Sequence, residues 1–230
     1  MIYDFWFTIY DFRFTYFLGY CNYICDISQC SSIIGGQENC MVNSGKSIIA
    51  GGCCNHMYSG SYNSSILGSV YSTIYSTHFS AILGGCCNGI YQESCKSAII
   101  GGCCNKVCCG SENSTIIGGF ENRIFNSNNS DIIGGYGNCI CDSNRSVIIG
   151  GSDMVLNNED DTVLVNRLKI DTLQNEPTDT RLVTADANGR IRYRTVDSLT
   201  PSFGGVVLGA TESMTGFMNS IYNSSNGSVV

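Results

Sequence analysis

From residue 31 to residue 156, apolar and polar positions return every 16 or 17 residues. The phrase Ser-x-Ile-Ile-Gly-Gly marks the register. Taking its first Gly as position zero puts Gly35, Gly51, Gly68, Gly84, Gly101, Gly118, Gly134 and Gly150 in one column. Four residues earlier stands Ser in every copy, from Ser31 to Ser146, and two earlier stands Ile, from Ile33 to Ile148. One earlier is Ile or Leu, except at Ala50. Four later is Asn in the first seven copies, with Ser72 the exception, and six later is apolar from Met41 to Leu156.

This period predicts a short-stranded coil. Sixteen residues with two apolar centres fit two short strands and two turns, with Gly at corners where a side chain would clash. A helix is excluded by the Gly-Gly pairs and β-branched Ile inside every unit. One unit cannot bury its own apolar face, so the units stack as a parallel β-solenoid, like residue over like residue. At roughly 4.8 Å per rung, eight rungs make a rod of roughly 40 Å. Stacked Asn side chains would form an amide ladder along it.

Adjacent strand positions point to opposite faces, yet positions −2 and −1 are both apolar in seven of the eight rungs. One face fills the coil. The other is a continuous Ile/Leu stripe that needs a cover, and no helical segment is available to provide it. A neighbouring identical chain is the natural cover, in a closed cyclic homo-oligomer.

Composition narrows the chemistry. Charged residues make up only 13% of the 230 residues, with a net charge of −7, 27 Gly, 2 Pro, 15 Cys and 2 His. No basic block is present, which argues against a nucleic-acid partner. The aliphatic and aromatic content is too high for a disordered chain. Neither catalytic residues, a cofactor nor a metal site can be named. His56 and His78 belong to different rungs. The acids Glu38, Glu93, Glu112, Glu121, Asp131 and Asp142 read as sharing no column, so no carboxylate pair suggests itself. The Gly-Gly pairs form neither a dinucleotide fingerprint nor a phosphate loop.

The unit Ser-x-Ile-Ile-Gly-Gly-x-x-Asn-x-Ile-x-x-Ser resembles the head repeats of trimeric autotransporter adhesins. It resembles still more the related repeats of phage and giant-virus tail or surface fibres. The resemblance covers residues 31–156 and implies an all-β, left-handed β-roll-like homotrimer of about eight rungs, intertwined or side by side. The unit is longer than the adhesin's, and neither coiled-coil heptads nor a membrane anchor is recognisable, which favours a viral or phage-like fibre module. The implied role is structural: presenting or spacing a receptor-binding surface on a virion or cell surface, without catalysis. Implied partners are the chain itself, other virion or fibre components, and a host-surface receptor or glycan. The rival readings are a tailspike-like glycan-degrading enzyme with an inter-chain site, and a purely architectural spacer.

The flanks divide the rest of the chain. Residues 1–30 hold eleven aromatics and read as a cap on the first rung, a docking segment, or a leader; Asp4, Asp11 and Arg13 interrupt any membrane span. Residues 157–200 begin with Thr162–Asn166, which keeps the register as a terminating rung. They continue with a hairpin signal at Asn188-Gly189, expected as a type I′ turn. Comparable hairpins follow the repeats in viral and phage fibres. Residues 201–230 are Ser/Gly/Asn-rich and read as a tail or an oligomer-ending element.

Twelve of the fifteen Cys lie in the array. The leading expectation is free thiols packed as small buried hydrophobes. Disulfides are the second reading and a metal site the third; Cys-Cys neighbours would point to opposite strand faces. Six sequons, headed by Asn63, Asn113, Asn128, Asn144, Asn223 and Asn226, matter only in a glycosylating compartment.

Overall fold

Each rung contributes one three-residue strand to each of two parallel sheets. The computed structural model describes residues 16–17, 19–25, 28–167, 181–185 and 191–195. Strands running from Ser32–Ile34 through Ala98–Ile100 to Val163–Val165, preceded by Tyr16–Phe17, form a ten-stranded sheet. Strands from Tyr23–Cys25 through Lys106–Cys108 to Val155–Asn157 form a nine-stranded sheet. The register is the one the repeat dictates: Ile99 pairs with Ile82 on one side and Ile116 on the other. The described chain is an all-β parallel solenoid of about nine turns. It extends past residues 31–156 at both ends, because Phe17 pairs with Ile33 and Leu164 with Ile148.

Alternation explains the core. The central residue of each strand points inward, so the −2 Ile column and the +6 apolar column interleave as one dry stack. Ile33, Ile99, Ile148, Met41, Ile90 and Ile140 are among sixteen core residues with at most 1% exposure. Burying one such side chain is worth about 1.5–3 kcal/mol.

Polar columns fill the corners of this stack. The Asn column is buried, but its ladder differs from the expected amide-to-amide chain. Asn105 Oδ1 accepts the backbone N–H of Asn122 at 3.0 Å, and Asn122 Oδ1 does the same for Asn138. Asn105 Nδ2 donates to the carbonyls of Gly118 and Gly119 one rung on. One amide-to-amide bond occurs, from Asn55 Nδ2 to Asn39 Oδ1 at 3.0 Å. The backbone wins because tight Gly corners bring its N–H and C=O groups nearest to the side chain.

The −4 serines form a second ladder, each Oγ accepting the next serine's N–H, as Ser114 does for Ser130 at 3.1 Å. A third buried column, the closing Ser of the repeat unit, is Ser28, Ser44, Ser61, Thr77, Ser94, Ser111, Ser127 and Ser143. Ser127 Oγ accepts the N–H of Ser143 at 2.9 Å. Thr77 breaks this ladder, and its buried Oγ1 has no hydrogen-bond partner. Thr77→Val, an isosteric change, should therefore stabilise the chain by about 1 kcal/mol. Ser127→Ala, which orphans a buried N–H, should cost about 1–3 kcal/mol. Denaturant midpoints moving in opposite directions for the two variants would check this.

The unit Ile170–Val230 contains an antiparallel pair, Arg181–Ala185 with Ile191–Thr195. Its register pairs Arg181 with Thr195 and Ala185 with Ile191, which centres the connection on Asn188. The type I′ turn expected at Asn188-Gly189 falls on residues outside the described ones. The connecting residues 186–190 lie outside the described residues, as do residues 1–15 and 201–230.

Candidate functional site

Between the two sheets runs a corner that the sequence pattern leaves blank. After the Gly-Gly turn, each rung makes one isolated parallel bridge at position +2, from Tyr20–Gln37 through Cys86–Cys103 to Tyr136–Ser152. The next residue, at +3, is left-handed in every rung: Glu38 (φ 54°), Cys54 (56°), Cys87 (55°), Cys104 (59°), Glu121 (56°) and Asp153 (54°) among them. L-residues rarely adopt this conformation, and here it ends the strand alternation. Residues +2 and +3 consequently turn to the same outer side.

This corrects two expectations about the cysteines. Vicinal Cys do not diverge: the Sγ atoms are 3.0 Å apart in Cys53–Cys54, 3.2 Å in Cys86–Cys87 and 3.4 Å in Cys103–Cys104. Nor are the cysteines buried hydrophobes. Of the thirteen free thiols among the described residues only Cys54 is buried, because their columns lie on outward positions of the strands and corners. Cys139 and Cys141, two apart on the outer face of one strand, are bonded to each other. In each pair the sulfur contact raises the pKa of one thiol. Hydrogen bonding to Cys86 pushes Cys87 up to about 11, and hydrogen bonding to Cys104 pushes Cys103 up to about 12. Cys54 goes to about 11 mainly through Cys53.

The same corner opens into a groove of about 630 Å³. Cys87 and Cys104 form one end, Tyr136 and Asp153 the other, with Lys106, Glu121 and Arg123 along the wall. Lys106 and Arg123 are register partners on adjacent strands, so two cations stand one above the other. Among the described residues, neither has a salt-bridge partner. Tyr136 stacks on Phe120 with ring centroids 5.6 Å apart. Glu38, Glu121 and Asp153 share the +3 column, so the acids do have a common column. That column can be counted from the repeat register alone, so the expectation of no shared column misreads the sequence.

The other acids are dispersed. Asp131 accepts the N–H of Thr115 at 3.0 Å, and Asp142 accepts from Asn126 Nδ2 at 2.6 Å. His56 stacks on Tyr58, and burial pushes its pKa down. His78 stacks on Tyr62 in a separate turn. Among the described residues, no three His, Cys, Asp or Glu side chains group as metal ligands, and no helix is long and apolar enough to cross a membrane.

A second surface is the outer side of the ten-stranded sheet. Its −1 column, represented by Ile34, Leu67, Leu83, Ile100, Ile117, Ile133 and Ile149, is between 37 and 49% exposed. Its −3 column is mostly small and uncharged: Ser32, Ile48, Ser65, Ala81, Ala98, Thr115 and Val147, with Asp131 the one charge. No described residue covers this face. No family model, curated protein or solved structure matches the chain.

Proposed function

We propose that the chain is a structural fibre segment that works as a homotrimer on a virion or cell surface, presenting or spacing a receptor-binding surface without catalysis. The observation that carries this reading is the exposed −1 column. It runs the length of the coil as an apolar, nearly uncharged face, far longer than the scattered apolar residues of a monomer surface. A second copy suits it because identical coils share one rung spacing, so each Ile can meet its counterpart along the whole length. Three copies around an axis close the assembly without leaving a free apolar face. Every outer feature then appears three times, and weak receptor contacts add by avidity.

Solution mass with chemical crosslinking tests the reading. A trimer is expected for the intact chain, and dissociation to a folded monomer for the Ile100→Asp/Ile117→Asp variant. A monodisperse monomer of the unaltered chain would overturn it. One observation favours a second reading, a glycan-cleaving enzyme: Glu121 and Asp153 line a common groove beside Tyr136. Polysaccharide turnover that is lost in Glu121→Gln would select that reading instead.

A further inference from the structure

Among the outward columns, one group of side chains is brought together beyond anything the fibre reading requires. Cys86, Cys87, Cys103 and Cys104 occupy positions +2 and +3 of two consecutive rungs. Cys86 and Cys103 are partners in a parallel bridge, and the N–H of Cys104 donates to the carbonyl of Cys86 at 3.0 Å. Within each rung the two sulfurs are in contact, at 3.2 and 3.4 Å. All four thiols therefore form a two-by-two array on the outer surface, with Cys87 and Cys104 facing the groove.

We propose that this array is an oxidation site, at which a small disulfide such as glutathione disulfide converts the four thiols into two rung-to-rung disulfides, Cys86–Cys103 and Cys87–Cys104. The choice of partners follows from backbone spacing. Relaxed disulfides join Cα atoms about 4.4–6.8 Å apart. Adjacent rungs, at roughly 4.8 Å, lie inside that range. Sequence neighbours, at about 3.8 Å, lie below it. The Cβ atoms must approach by roughly 1 Å. An isolated bridge between two turns yields more easily than the middle of a sheet strand. The same groove wall already carries the disulfide of Cys139 with Cys141.

Each bond forms in two exchanges. A thiolate of the array attacks the oxidant's sulfur–sulfur bond, which releases one glutathione thiolate and leaves a mixed disulfide. The partner cysteine, deprotonated, attacks that mixed disulfide and releases a second glutathione thiolate. The two protons lost by the cysteines end on the two released thiolates. Two equivalents of oxidant are reduced for the two bonds. Lys106 and Arg123 line the same groove as Cys87 and Cys104 and offset the charges of Glu121 and Asp153 there. Cys53 and Cys54 supply an internal control. Their sulfurs touch in the same way, but the flanking rungs carry Gln37-Glu38 and Val70-Tyr71 at the same positions, so they have no rung-to-rung partner.

Tryptic mapping of the full chain tests the proposal. Cleavage after Lys46, Lys96 and Lys106 separates residues 47–96, which hold Cys86 and Cys87, from residues 97–106, which hold Cys103 and Cys104. After treatment with glutathione disulfide and blocking of remaining thiols, the 97–106 peptide should be recovered covalently joined to 47–96 within one chain. Its link should vanish in the Cys86→Ser/Cys87→Ser variant. Recovery of 97–106 alone would overturn the proposal, whether it is blocked, glutathionylated or two hydrogens lighter. So would a link that survives in the variant, which would implicate Cys53, Cys54 or Cys95, or one found only between chains. None of these outcomes depends on the trimer, so failure here and failure of the fibre reading are distinguishable.

Discussion

Ile99→Asp is expected to abolish folding, while Ile100→Asp, one residue further on, leaves the coil intact. Ile99 is fully buried and stacks between Ile82 and Ile116 in the ten-stranded sheet. A carboxylate there is shut off from solvent and meets an aliphatic stack. The Asn and Ser ladders are spent on backbone groups of neighbouring rungs, and the stack around position −2 is aliphatic. The cost combines lost packing with an unpaired buried carboxyl, about 5 kcal/mol or more, against a typical total stability of about 5–15 kcal/mol. The solenoid adds a second penalty. Each rung contacts only its neighbours, so one unfolded rung divides the stack into two shorter ones. Ile100 is 41% exposed, and an Asp at that position meets solvent in the single chain. Far-ultraviolet circular dichroism should show loss of the β signal for Ile99→Asp and its retention for Ile100→Asp. A folded Ile99→Asp protein would mean that the rung register is wrong.

That pair also shows what was legible in the sequence. Positions −2 and −1 are both Ile in most rungs, and composition alone does not tell them apart. Period and strand alternation do, which is why the inward column, the parallel stack and the uncovered stripe could all be read from the repeat. The third polar column, the closing Ser of the unit, was legible too, although its spacing is uneven when counted from the preceding Gly. Rungs of 17 residues carry their extra residue, such as Gly60, Glu93 or Gly110, just before this column. Measured from the preceding Gly the spacing drifts, but measured from the following Gly it is constant at seven. The +3 corner escaped because only Gly137 and Asp153 in that column are of types that favour the left-handed region, and the others are Glu, Cys and Tyr. Only the stacked backbone imposes it. The sulfur contacts and the outward groove follow from that one dihedral angle, so the candidate site was hidden while the core was plain.

Gly102→Ala should be nearly as damaging as a charge in the core, and Gly101→Ala should be mild. Both glycines are left-handed, at φ 74° and φ 70°. A Cβ on Gly101 meets nothing within 4 Å, so its substitution costs only the conformational preference, about 1 kcal/mol. A Cβ on Gly102 would point along the coil axis into the next rung. It would lie 2.5 Å from the carbonyl oxygen of Gly119 and 2.9 Å from the carbonyl carbon of Gly118, and would crowd Asn105 Nδ2. Two of these contacts are backbone and cannot rotate away. The third belongs to the buried ladder, where Asn105 holds the N–H of Asn122 and the carbonyls of Gly118 and Gly119. Relieving the clash therefore means spreading two rungs or breaking that ladder, with several hydrogen bonds of about 1 kcal/mol each at stake in addition to the strain. A loss of about 3–5 kcal/mol is expected for Gly102→Ala. Chemical denaturation of the two single variants side by side measures the difference. Equal midpoints would mean that the second Gly of the pair is not the point of closest approach between rungs.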